Sequence, residues 1–294
     1  MDHIFFSYHL FIRTTQNLKR AFGNLSASAI SFVLRPFLAK TISSQRISWL
    51  FFKKLFDREK DKITAGRAVC INSENLNEYL DNTLAFAQLV IAGGSDHDVT
   101  EIELKKMVNK PSVTFFVQNL QFEETVNVKL LPIGVQDLKW ASSGLPWNFS
   151  KALAKEKRQR ILVGPFSPTH PERNDCIKYG RVALNCDLLE KKISTYAYAK
   201  ISASYSFVAC PRGNGLDTHR IWETLYRGSF PVMVKSSFSK VLISYGLPIL
   251  EIDSWSLLSE IPLSDVQLAF FEKQQKGLEY ISQAWWQKRL LSYL

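Results

Sequence analysis

Short apolar runs alternate with helix-patterned polar stretches along most of this chain. Ala68–Ile71, Leu89–Ala92, Val113–Val117 and Val128–Ile133 are strand candidates. Between them Glu74–Leu84, opening at Ser73, and Thr100–Val108, opening at Thr100, carry helical spacing behind capping residues. Alternation of this kind predicts a mainly parallel sheet. It lapses from Trp140 to Lys157, around Gly144 and Pro146 and into a charged segment, which reads as an interlobe linker. A second alternation starts with a strand at Arg160–Gly164 and a helix from Pro171 to Asn185. Strands at Ser206–Ala209, Phe230–Val234 and Pro248–Ile252 follow, then a helical tail from Asp265 to Leu294. At 294 residues the chain divides most naturally into two lobes, 63–150 and 151–294, behind an extension at 1–62.

The run from Phe207 to Val234 carries the most chemistry. Phe207–Ala209 is a buried strand ended by Pro211, Gly213 and Gly215, after which Asp217 and Thr218 can each cap a helix. A helix N-terminus behind a glycine turn attracts anions, and Arg212 adds a fixed charge beside it. At 100° per residue Asp217, Arg220, Glu223, Thr224 and Arg227 share one sector of that helix, opposite Ile221, Trp222 and Leu225. A polar helix face is ordinarily a solvated surface. This one is continuous with the Arg212–Gly215 turn, so a nucleotide or other anion site is the competing reading. Gly228 stops the helix, and Phe230–Val234 forms the next strand.

These residues resemble the exostosin-like glycosyltransferases, including their short microbial relatives. The matching elements are Pro211, Arg212, Gly213, Asn214 and Gly215, then Asp217, Thr218, His219, Arg220, Trp222, Glu223 and Leu225, and finally Gly228, Pro231 and Val232. The resemblance implies a GT-B fold, α/β with two Rossmann-like lobes facing a cleft, whose C-terminal lobe holds a nucleotide-sugar donor. By that analogy Glu223 binds the ribose hydroxyls, while Arg212 and Arg220 neutralise the diphosphate. Gly213, Asn214, Gly215, Asp217, Thr218 and His219 complete the donor set.

Further matches extend the resemblance to roughly residues 90–260. The turn Gly164–Arg173 is similar to a family turn through Phe166, Ser167, Thr169, His170 and Arg173, although Gly164-Pro165 departs from its usual Val-Asn. Ser167, Thr169 and Arg173 are thereby expected to reach the donor phosphates; a Pro-rich loop with a surface arginine is the plainer alternative. Lys235, Ser236 and Ser237 are a weaker match for the sugar side, and Asp253 and Trp255 match a structural turn. In the first lobe the matches are Ser95 and Asp96, Gln118 and Asn119, and Pro132, Ile133 and Gly134. The relatives' His-Pro element is replaced near Thr125–Asn127. The Gly93–Asp98 turn follows an apolar strand, where α/β sites form, and Asp96 is the candidate general base; a turn-capping Asp is equally consistent with the residues.

The net charge of +10 is unevenly placed, with eleven Lys/Arg against four Asp/Glu in residues 1–62, which leaves +3 for the rest. That distribution gives no general nucleic-acid signature. The same segment interleaves Phe5, Phe6, Phe11, Phe22, Phe32, Phe37, Trp49, Phe51, Phe52 and Phe56 with its cations. It reads either as a helical extension on the catalytic lobes or as a surface for anionic membranes. Loss of membrane association on deleting residues 1–60 would decide for the second. No signal peptide or spanning segment is recognisable, so a cytoplasmic enzyme, peripheral at the inner face of a membrane, is expected. The cysteines, Cys70, Cys176, Cys186 and Cys210, form no Cys-x-x-Cys pair, and the histidines show no ligand spacing; neither metal nor cofactor is expected.

The expected activity is metal-independent transfer of a sugar, from a UDP-linked donor, to a glycan or glycolipid acceptor. A nicotinamide-dependent dehydrogenase is disfavoured, because Thr218 stands where the third glycine belongs and Lys235 where the ribose-binding acid belongs. No Gly-Lys-Ser/Thr follows a glycine loop, which disfavours NTPase chemistry. A non-catalytic glycan- or membrane-binding protein with the same fold remains the alternative.

Overall fold

Nine short strands form two wholly parallel sheets in a computed structural model that describes residues 46–59, 67–82, 87–136, 146–149, 156–267 and 278–294. The first sheet holds β1 (Ala68–Asn72), β2 (Leu89–Gly93), β3 (Thr114–Val117) and β4 (Val128–Leu130), in that spatial order. Helix α1 (Trp49–Glu59) precedes it, and α2 (Leu76–Asn82) and α3 (Glu101–Val108) form its crossovers. The second sheet holds β5 (Arg158–Val163), β6 (Cys186–Leu188), β7 (Tyr205–Ala209), β8 (Phe230–Val234) and β9 (Leu250–Ile252), in the order β6-β5-β7-β8-β9. Its crossovers are α4 (Pro171–Val182), α5 (Thr195–Ala203), α6 (His219–Tyr226) and α7 (Ser237–Ser244).

Parallel strands must be covered on both faces, which explains the unbroken burial of β2 and β7. The faces still separate by alternation. Ile161, Val163, Phe207, Ala209, Phe230 and Val232 belong to one buried cluster, while Leu162 and Val208 belong to another that continues through Trp222 to Phe116 and Phe52 of the first lobe. The two lobes thus share apolar contact. Helix α8 (Gln283–Leu291) closes that contact from the C-terminal end: Trp286 lies edge-on to Phe52 at 5.8 Å and to Phe116 at 6.3 Å, and Tyr293 meets Phe116 at 5.4 Å.

The expected elements are nearly all present, with shifted ends. The strand expected to reach Ile133 leaves the ladder after Leu130. The helix expected at Glu74 starts as a 3-10 turn at Ser73–Asn75 before α2, and residues 83–86 lie outside the described ones. Helix α4 stops at Val182, where Ala183 turns to extended backbone. Three elements were not anticipated: β6, α5 and α7. Most of the linker and of the tail from 268 to 277 lie outside the described residues, as does the basic segment up to residue 45. The described part of that extension, residues 46–59, holds α1, whose Phe52 is fully buried against the first lobe. Among the described residues no helix is long and apolar enough to cross a membrane.

Candidate functional site

In the second sheet the chain runs from β5 out to β6, then crosses back to β7 on β5's other side. That reversal puts a topological switch point at the carboxyl ends of β5 and β7, the place where open α/β sheets bind ligands. The two loops that leave these ends are the turns Gly164–Arg173 and Cys210–Thr218. Gly164 takes φ +80°, a conformation that costs a glycine little, and its peptide to Pro165 is cis. Arg173 follows at the start of α4, whose N-cap His170 accepts from Glu172 N–H at 3.2 Å.

Three arginines meet here. Arg173 donates from Nε to Arg212 O at 2.9 Å and from Nη1 to Ser167 O at 2.9 Å. Arg220, on the first turn of α6, donates to Pro165 O at 2.8 Å. Both stack on Phe166, at 5.9 Å and 4.5 Å from its centroid, and Arg220 lies 4.9 Å from the Tyr198 ring. Burial, and then the neighbouring Arg220 cation, push the Arg173 guanidinium below its usual pKa. Three buried atoms at this turn have no hydrogen-bond partner: Arg212 Nε, Arg220 Nη1 and Thr218 Oγ1. Each such group ordinarily costs about 1–3 kcal/mol. A cluster of cations with unused donors is suited to an anion.

The glycines serve close approach. A Cβ on Gly213 would stand 2.7 Å from Arg173 Nη2, and one on Gly215 would stand 2.6 Å from Asn119 Oδ1. Gly215 therefore lets the turn seat against the first lobe. Four of the matched residues of that lobe, Asp96, Asn119, Ile133 and Gly134, bond to the second lobe. Asp217 N–H donates to Asn119 Oδ1 at 2.9 Å, and His219 Nδ1–H donates to Gly134 O at 2.8 Å. Asn214 Nδ2 donates to Asp96 Oδ2 at 3.0 Å, and Arg212 Nη2 stands 2.5 Å from Asp98 Oδ2. Gln118 stiffens the same surface, accepting from Gly94 N–H at 2.7 Å and donating to Pro132 O at 3.2 Å. The Gly93–Asp98 loop is tied down by His97, whose Nε2 donates to Glu103 Oε1 at 2.9 Å, and Glu103 completes a capping box with Thr100.

Several expected donor contacts lie elsewhere. The Asp217 carboxylate is buried, accepting from Ile133 N–H and Trp222 Nε1–H, each at 2.7 Å; it joins the lobes and does not cap α6. Burial raises its pKa from 3.8 to about 7. Thr218 is the N-cap residue, but its side chain makes no cap bond. The His219 ring faces the first lobe. Glu223 is ion-paired at 3.3 Å with Arg227, itself buried by Asn148 O at 2.7 Å and by the Phe149 and Tyr198 rings. The polar sector of α6 is therefore buried at Thr224 and Arg227 and only partly exposed at Arg220 and Glu223. Ser236 caps α7 by accepting from Ser239 N–H at 3.1 Å. Ser167 and Thr169 are exposed.

Two residues that the sequence reading did not single out also lie here: Asp98, bonded to Arg212, and Tyr198, whose ring faces Arg220. A separate cavity of ≈ 440 Å³ lies against β1 and α2, lined by Asn72, Asn75, Glu78, Tyr79 and Asn82. Among the described residues no group of three or more His, Cys, Asp or Glu is placed to hold a metal. No protein-family model matches the chain, and no curated protein matches it.

Proposed function

We propose that this chain is a glycosyltransferase of GT-B type that moves a sugar from a nucleotide donor, UDP-linked, to a glycan or glycolipid acceptor. The carrying observation is the arginine cluster at the switch point: Arg173 and Arg220 donate to carbonyls and stack on Phe166, leaving Arg220 Nη1 without a partner. A diphosphate would supply the missing acceptors and offset the effect of the Arg220 cation on Arg173. As the acceptor oxygen bonds to the anomeric carbon, the carbon–phosphate-oxygen bond breaks and the electron pair leaves on the diphosphate. Arg173, Arg212 and Arg220 would stabilise that charge, the kind of term that is often the largest in catalysis. Asp96, exposed beside Asn214, is the proposed acceptor of the hydroxyl proton. The Glu223 carboxylate, held by Arg227, is the proposed ribose ligand.

Thermal-shift and calorimetric titration with UDP, GDP, dTDP and their sugar conjugates tests this reading. Stabilisation by at least one diphosphate is expected, and no binding by any of them would sink it. The basic, aromatic-rich segment 1–62 is the proposed contact with an anionic membrane surface, read out by sedimentation with phosphatidylserine vesicles; no co-sedimentation would remove it.

A second reading is a non-catalytic glycan-binding protein. The β1 cavity favours it, because amides, a carboxylate and an aromatic ring are the groups that hold sugar hydroxyls and sugar faces. Replacement of Asp96 and Glu223 separates the two: a binding module keeps its glycan affinity, whereas a transferase loses turnover.

A further inference from the structure

The Asp98 carboxylate, on the loop after β2, lies between two donors that belong to the second lobe. Arg212 Nη2 is 2.5 Å from Oδ2, and Leu216 N–H donates to Oδ1 at 3.2 Å. Beside it Asp96 accepts from Asn214. The acidic loop of one lobe thus fills the glycine turn of the other with anionic oxygen. A guanidinium and a backbone N–H converging on one charged group is also how proteins receive a phosphate oxygen. The pair is open to displacement, since the Arg212 and Asp98 side chains keep 20% and 24% of their exposure. Partly exposed pairs of this kind are weak.

We propose that Asp98 occupies the seat of a donor phosphate, so that the diphosphate binds by displacing this carboxylate from Arg212 and Leu216. The inference rests on the nucleotide-sugar reading above and adds how the seat is filled before the donor arrives. Exchange of one anion for another keeps Arg212 neutralised throughout. It also ties donor entry to release of a contact between the lobes. An internal competitor lowers apparent affinity by the fraction of molecules whose seat is open. A polyvalent anion wins the seat because it engages Arg173 and Arg220 at the same time, which a single carboxylate does not.

Calorimetric titration with inorganic pyrophosphate and with UDP tests the displacement in the full chain, Asp98→Asn, Asp98→Ala and Glu123→Gln. Asparagine keeps the shape and the acceptor for Leu216 while removing the charge. Glu123 pairs with Lys240 across the same lobes at 3.8 Å without involving either loop, and so controls for general loosening. Both Asp98 variants should bind pyrophosphate about three- to tenfold more tightly than the unaltered chain, with Glu123→Gln unchanged. Equal or weaker binding by both folded Asp98 variants would make Asp98 a positioning partner of Arg212 and overturn the displacement. A matching gain in Glu123→Gln would overturn it too. If neither the unaltered chain nor Asp98→Asn binds either ligand, the donor reading itself fails, and this inference with it.

Discussion

Replacing Arg220 with methionine keeps an apolar stem beside the Phe166 and Tyr198 rings and removes the charge. In the ligand-free chain the change deletes one bond to Pro165 O and two cation–π contacts, together about 2–3 kcal/mol. It also deletes a buried unpartnered N–H, a gain of about 1–3 kcal/mol, and frees Arg173 from a like charge. The two sides nearly cancel. For a chain of this size the melting temperature should move by less than about 5 °C. Nothing cancels on the ligand side. A diphosphate that takes two charge-assisted bonds from this guanidinium loses about 3 kcal/mol or more with it, a drop of about 100-fold in affinity. Calorimetry with UDP at matched ionic strength, paired with a melting curve, reads both quantities. UDP affinity within threefold of the unaltered, UDP-binding chain would refute the reasoning. A melting drop beyond about 10 °C would make Arg220 a structural strut and refute it from the other side.

Gly213→Ala should weaken UDP binding about tenfold with a small change in melting, because its Cβ would drive Arg173 Nη2 away from 2.7 Å; unchanged binding would show that Arg173 is not a ligand. Asp217 links stability to pH. Its folded carboxyl sits at about 7 against 3.8 unfolded, so the folded state retains a proton that the unfolded state gives up. Its contribution is full below about pH 4 and falls as pH rises towards 7, by up to about 4 kcal/mol. Urea titrations across that range should show a shallower slope in Asp217→Asn, and an identical slope would remove Asp217 as its source. Trp286→Ala should cost about 3–5 kcal/mol, since the ring is 1% exposed between Phe52 and Phe116; a loss under about 1 kcal/mol in chemical denaturation would contradict its place in the shared core.

The strands were the most legible part of the fold because burial on both faces leaves an unbroken apolar run, as in Phe230–Val234, whose observed ends match the expected ones. Helix α5 escaped notice because Tyr198, Ala199, Ser202 and Ala203 are all buried, which blurs any single apolar face. Helix α7 opens with a capping box whose second member is Ser239, a residue that ordinarily marks a loop. At the site, the turns and their arginines could be read from local order alone. The roles of Asp217 and His219 could not, because their partners Ile133 and Gly134 lie 84 and 85 positions away. The polar sector of α6 misled for the same reason: Arg227 is 1% exposed, and only the fold reveals that Asn148, Phe149 and Tyr198 enclose it.

Helix α8 belongs to the second half of the chain by position but packs on both lobes, on Phe52 and Phe116 of the first and on Tyr245 of the second. The polypeptide therefore crosses between the lobes twice, once after β4 and again on the way back to Phe52 and Phe116. Two crossings tie the halves of the chain together at separate places, so the contact between the lobes does not depend on one connection alone. Truncation ahead of Gln283 would leave a single connection and unseal a core to which the lost residues are remote in sequence.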